Sequence, residues 1–138
     1  MRGSRWPPNG YRKRTDLPRT RVVFYQEKDG RVPLLRWLDD LPVKAKVKCH
    51  LRVERLSELG YELRRPEADY LRDGIYELRI NLQGVNYRML YFFHQNIAAV
   101  VSHGLVKERV VPPREIDEAL RRKAQFERDP KRHSYEES

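Results

Sequence analysis

The segment from Tyr76 to Lys107, YELRINLQGVNYRMLYFFHQNIAAVVSHGLVK, constrains the fold more than any other. Three β-rich runs follow one another, at about Ile75–Leu82, Val85–His94 and Ile97–Leu105, separated only by Gln83-Gly84 and Gln95-Asn96. Short polar joints containing Gly or Asn between such runs are hairpin signals, so a three-stranded antiparallel meander is expected. Side chains alternate between the faces of a strand. In the first strand Tyr76, Leu78 and Ile80 share one face, and Glu77 and Arg79 the other. In the second, Tyr87, Met89, Tyr91 and Phe93 oppose Arg88, Leu90 and Phe92. If the aromatic set is core, Arg79 and Arg88 project together from the opposite face. Phase allows either His103 or Ser102 on that face in the third strand, and Lys107 follows at its end. A cation inside a strand must reach solvent or meet an anion, because burying it unpaired is too costly.

The flanking chain supplies helices. Arg21–Gln26 (RVVFYQ) is β-branched and aromatic and reads as a strand closed by Lys28-Asp29-Gly30. Pro33 suits the first turn of a helix whose stripe is Leu34, Leu35, Leu38 and Leu41, with Trp37 beside it. From Val43 to Leu56 two periods compete. Strict alternation of apolar and charged residues resembles a strand, but Lys, Ala, Leu, Arg and Glu dominate and Gly60 follows as a C-cap would. As a helix, this segment puts Ala45, Cys49, Val53, Leu56 and Leu59 on one face. Val47 and Leu51 form a second, smaller stripe, suited to another helix, a partner or a second copy. Tyr61–Gly74 is charged and reads as irregular. Pro112-Pro113 precede a helix at Arg114–Arg128, with Ile116, Ala119, Leu120 and Ala124 on its apolar side. The expected fold is α+β, a helix hairpin packed on one face of an antiparallel or mixed sheet, with a C-terminal helix. Residues 1–20 read as a basic N-terminal arm, 21–128 as the domain and 129–138 as a frayed tail.

The chain has 138 residues and a formal net charge of +9, which favours a polyanionic partner, either nucleic acid or an acidic protein. Its single Cys49 excludes an internal disulfide or a multi-cysteine zinc cluster. No apolar run approaches the roughly 18 residues needed to cross a bilayer, and no export h-region is present, which argues for a cytoplasmic chain. There is no Ser-His-Asp order, no HExxH spacing and no Gly-rich phosphate loop, and the four histidines are scattered. An electropositive sheet face remains. Arginine there can fork onto phosphate oxygens and stabilise charge developing in a transition state.

Four segments in order carry a resemblance: Asp73-Gly74-Ile75-Tyr76-Glu77-Leu78-Arg79-Ile80, Asn86-Tyr87-Arg88-Met89-Leu90-Tyr91-Phe92-Phe93-His94, His103-Gly104-Leu105-Val106-Lys107, and Pro113-Arg114-Glu115-Ile116 before an Ala- and Arg-rich helix. From about Val22 to Arg128 the chain resembles the RelE/HigB superfamily of toxins from type II toxin–antitoxin systems, in its phage-derived HigB-like branch. The resemblance implies a messenger-RNA endoribonuclease acting in the ribosomal A site without metal or cofactor. In that reaction the RNA 2′-hydroxyl attacks its own phosphate and leaves a 2′,3′-cyclic phosphate. By position, Arg88 would stabilise the phosphate, Arg79 would contact phosphate or assist proton transfer, Lys107 would add charge, and His103 would act as acid or base. Arg79, Arg88, Lys107 and Arg114 would bind RNA. The implied partner is a cognate antitoxin, a small helix-turn-helix protein. Glu77 stands where some relatives carry lysine and Glu108 follows Lys107, both lowering local positive charge. Two other readings use the same scaffold: a ParE-like toxin directed at DNA gyrase, and a degenerate protein that only binds its antitoxin.

Overall fold

The computed structural model describes residues 19–95, 98–107 and 109–137. The strands are β1 (Arg21–Tyr25), β2 (Ala68–Arg72), β3 (Ile75–Leu82), β4 (Val85–His94), β5 (Ala98–Lys107) and β6 (Ser134–Tyr135). The helices are α1 (Pro33–Asp39), α2 (Val43–Leu59) and α3 (Pro113–Arg128). One six-stranded mixed sheet has the order β2-β3-β4-β5-β1-β6. Its pairs are antiparallel except β1 with β5, which run parallel; β6 pairs with β1 and so joins the first and last strands. The fold is α+β, with the expected meander at its centre. No helix of the described residues is long and apolar enough to cross a membrane.

Alternation along the strands divides the core in two. On one face Leu34 and Leu38 of α1 and Ala45, Cys49 and Leu56 of α2 cover Leu78, Ile80, Tyr87, Met89 and Tyr91. On the other, Ile116, Ala119 and Phe126 of α3 cover Ile75, Leu90, Phe92, Val100 and Leu105. The helical period therefore wins at Val43–Leu59, because it alone gathers Ala45, Cys49 and Leu56 against the sheet. Cys49 is fully buried, and burial pushes its thiol up to about 11, so it packs rather than reacts.

The first joint behaves as the sequence indicates, while Asn96 of the second lies outside the described residues. Gln83 and Gly84 both take positive φ, 52° and 82°, the backbone of a two-residue primed turn. Gly104 is required for another reason. A Cβ there would lie 2.1 Å from Cε3 of Trp37, so the missing side chain is what lets the α1 indole lie against β5. Gly104→Ala is expected to cost about 1–3 kcal/mol through this overpacking, read as a lowered urea midpoint with unchanged slope.

Two expectations need correction. Tyr61–Gly74 is not irregular throughout, since Ala68–Arg72 forms the edge strand β2, paired with β3 through Ala68↔Leu78 and Tyr70↔Tyr76. A short charged strand is typical of a protected sheet edge and carries little apolar signal. Nor is the tail simply frayed. Ser134–Tyr135 pairs with β1, and His133 is buried, stacked on Tyr25, with its Nδ1 2.7 Å from the Gln26 carbonyl oxygen. The helix-ending Pro130 concealed this return. Most of the basic arm, residues 1–18, lies outside the described residues.

Candidate functional site

The third meander strand decides what shares a face with the two arginines. In the β4–β5 ladder Leu90 pairs with His103 but Tyr91 pairs with Val101, so Ser102 is an extra residue, a β-bulge. The bulge reverses the alternation. Val100 packs on the α3 side before it, and His103, Leu105 and Lys107 point to that same side after it. The choice between Ser102 and His103 is resolved for both: alternation from Val100 puts Ser102 on the α3 side, where its hydroxyl meets Arg122, and the bulge adds His103 to it. Lys107 is carried onto the face of Arg79 and Arg88 as well.

At the open end of that face, beyond α3, three cationic side chains converge on one carboxylate. Arg88 Nε lies 3.2 Å from Glu77 Oε1, Lys107 Nζ 3.8 Å from the same oxygen, and Arg79 Nε 3.9 Å from Oε2. Arg79 and Arg88 are paired directly across β3 and β4, which places Glu77 two residues before Arg79 and within reach of both. Arg88 also donates to the carbonyl oxygens of Tyr87 at 2.9 Å and Ile80 at 3.5 Å. The cluster deepens inward: Arg79 side-chain exposure is 26%, Lys107 10%, and Arg88 only 2%. With three cations and one carboxylate, the formal charge of the group is positive. Glu77 Oε1, Arg79 Nε and Arg88 Nε are buried without a hydrogen-bond partner in good geometry. Buried orphans in one place are uncommon and mark strain or a ligand-ready site.

Electrostatics follow from this packing. Burial pulls the Lys107 ammonium below its ordinary range; Glu77 opposes that shift, and Arg88 and Arg79 reinforce it. Burial likewise lowers Arg88, chiefly against the pull of Glu77. Lys107 is therefore a readier proton donor than a surface lysine. Arg88, expected to fork onto phosphate, has its donor edges turned to Glu77 and backbone carbonyls and offers almost no surface. Glu77, which the sequence shows only as a dilution of charge, is the centre of the cluster. The signal available was its register: in a strand, Glu77 and Arg79 must share a face.

His103 and Arg114 lie elsewhere. His103 Nε2 is 2.9 Å from Glu115 Oε1 of α3, and its Nδ1 is 2.8 Å from the Ser102 hydroxyl. Arg122 approaches the same hydroxyl at 3.4 Å and pairs with Glu27 and Glu118. Ser102 is fully buried, so this Ser-His-Glu arrangement docks α3 on the sheet and offers no nucleophile to solvent. The Arg114 side chain is 80% exposed, with Glu115 at 3.8 Å as its neighbour. Glu108 lies outside the described residues. Among the described residues no three His, Cys, Asp or Glu side chains could hold a metal ion.

Burial lowers the His103 imidazole below its ordinary range, outweighing Glu115, while Arg122 reinforces the shift. On acidification the unfolded imidazole therefore binds its proton first. Its stabilising contribution is complete above about pH 6.5 and is lost as pH falls through the lower folded value. Urea unfolding at pH 7.5 and 5.5 should show lower stability at pH 5.5, and His103→Gln should shrink that difference. An equal difference in the variant would exclude His103 as its source.

The profile of one family, Phage derived protein Gp49-like, matches residues 36–124, from α1 to near the end of α3. No curated protein sequence matches the chain. The matched span contains the whole Glu77 cluster and the His103 network. The family falls within the RelE/ParE-like toxin–antitoxin superfamily, which indicates a toxin with an antitoxin partner. On fold, site and matched span together, this chain belongs to the Gp49-like family of phage-derived proteins.

Proposed function

We propose that this protein is the toxin of a type II pair, in the HigB-like branch, and that it cleaves messenger RNA in the ribosomal A site. The observation that carries the reading is the buried carboxylate ringed by three cations at the open end of the sheet. Cleavage by an internal 2′-hydroxyl needs a proton acceptor, neutralisation of the phosphorane and a proton for the departing 5′-oxygen. The cluster supplies each of these. Arg79, the most exposed cation and only loosely paired at 3.9 Å, moves to a non-bridging phosphate oxygen and uncovers Glu77. Glu77 takes the 2′-hydroxyl proton as the new O–P bond forms. Lys107, its ammonium made more acidic by burial, donates a proton as the P–O5′ bond breaks. The products are a 2′,3′-cyclic phosphate and a 5′-hydroxyl. Arg88 is a positioning residue, holding Glu77 from beneath through its backbone-anchored guanidinium. In this scheme both proton transfers and charge neutralisation come from the chain itself. The domain so assigned is 21–128 together with the return strand β6, and Arg114 at the start of α3 adds a phosphate contact at the rim.

A second reading rests on the closure of the same cluster. Arg88 and Glu77 are 2% and 3% exposed, as in a scaffold that acts by binding, whether on DNA gyrase or on its antitoxin alone. Primer extension on messenger RNA after induction separates the two. A nuclease leaves codon-linked 5′ ends that vanish in Glu77→Gln. Growth arrest with no such ends would establish the binding reading instead.

A further inference from the structure

Helix α2 presents a second face that no element among the described residues covers. Val43, Val47 and Leu51 recur every four residues, on the side of the helix opposite Ala45, Cys49 and Leu56. They are 75%, 51% and 60% exposed. Single exposed apolar residues are ordinary, but a stripe spanning two turns is not. Two of the three are β-branched valines, which a solvated helix surface does not favour. At 100° per residue Lys44 and Lys48 run along one flank of the stripe, and Lys46 and His50 along the other. The carboxylates further along α2 are engaged: Glu54 with Arg19 at 3.1 Å, and Glu58 with Arg19 and Arg55 at 3.3 and 3.2 Å. Among the described residues, Lys44, Lys46 and Lys48 have no carboxylate partner.

We infer that this face docks an acidic amphipathic helix of a different protein chain. Such a helix carries apolar residues every three or four positions and packs them along Val43, Val47 and Leu51. Glu or Asp on either side of that seam then meets the lysines of both flanks. Charge decides against a second copy. Pairing α2 with itself would bring basic flanks together on molecules that each carry a net +9, and like charges across an interface oppose association. The face lies on the α1–α2 side of the sheet, away from Glu77, Arg79 and Lys107. A partner seated there would leave the phosphate cluster uncovered. The inference is independent of the nuclease reading.

The test uses the full chain and a fluorescent 18-residue helical peptide with leucines at every third and fourth position and glutamates flanking them. Anisotropy should show binding that weakens as salt rises. Val47→Asp with Leu51→Asp should weaken it at least tenfold, with the circular dichroism spectrum and Tm unchanged. Lys44→Glu with Lys48→Glu should do likewise, and a peptide with lysines in place of its glutamates should not bind. Equal binding of the acidic peptide to the wild type and the Val47/Leu51 variant, or no binding to either, would overturn the inference. A dimer in sedimentation that the Val47/Leu51 variant converts to monomer would also overturn it, identifying a second copy as the occupant. Cleavage of messenger RNA enters none of these readouts, so failure here leaves the reaction untouched.

Discussion

Arg88→Ala is expected to destabilise the fold by about 3 kcal/mol, with loss of activity following from that. Removing one member of a buried ion pair costs about 3–5 kcal/mol, because the other charge stays buried without compensation. The lower end applies here, since Lys107 and Arg79 remain 3.8 and 3.9 Å from Glu77 when Arg88 is gone. Its contacts to the carbonyl oxygens of Tyr87 and Ile80 go as well. Glu77→Leu combined with Arg88→Met should recover part of the loss, since replacing a buried pair by apolar residues of similar size is often neutral. Recovery will be incomplete because Lys107, at 10% exposure, loses its counter-ion. Urea unfolding of the wild type, the single variant and the double variant measures all three. A loss below about 1 kcal/mol in Arg88→Ala would mean that the pair behaves as an exposed one.

Glu77→Gln is expected to reduce RNA cleavage by about 10²–10⁴-fold, and to lower stability as well, because Arg88 and Lys107 lose their counter-ion. Glutamine fills the same volume but has no anionic oxygen to accept the 2′-hydroxyl proton. Lys107→Met should lower the rate by about 10²–10³-fold, as for loss of one charge-stabilising donor. Single-turnover cleavage of a ribosome-bound message gives both rates, and thermal melts of the same preparations separate chemistry from folding. The sharpest contrast is with Arg79→Ala. Arg79 is the most exposed cation and the least committed to Glu77, so its removal should weaken RNA binding at unchanged Tm. Wild-type cleavage by Glu77→Gln would remove Glu77 from the reaction.

The meander was legible because three strong periodic signals all describe the same thing. Apolar alternation, β-branched composition and the Gln83-Gly84 joint each specify strands in register. Helix α2 was harder, since its alternating pattern satisfies two periods and only Gly60 and the composition favour the longer one. The edge strand β2 and the return strand β6 were not legible, because an edge needs one partner and little burial, and ADYLR and SY carry almost no pattern. At the site, the shared face of Arg79 and Arg88 followed from phase alone. The centrality of Glu77 did not, because sequence gives the sign of a charge but not whether neighbours point at it. Depth was equally hidden: phase gives the face of Arg88 but not that its guanidinium is spent on Glu77 and two strand carbonyls at 2% exposure.

The extra residue Ser102 has a consequence for how such a sheet can change over time. Upstream of it, β5 is bound by the packing of Ala99, Val100 and Val101 against both cores. Downstream, the same strand delivers His103 to α3 and Lys107 to Glu77. Because parity resets at the bulge, the two halves answer to different constraints, and substitution in one need not disturb the phase of the other. Deleting one residue there would present Lys107 to the opposite face while leaving composition, net charge and strand length almost unchanged. The chemistry of this domain thus hangs on a count of residues as much as on their identity.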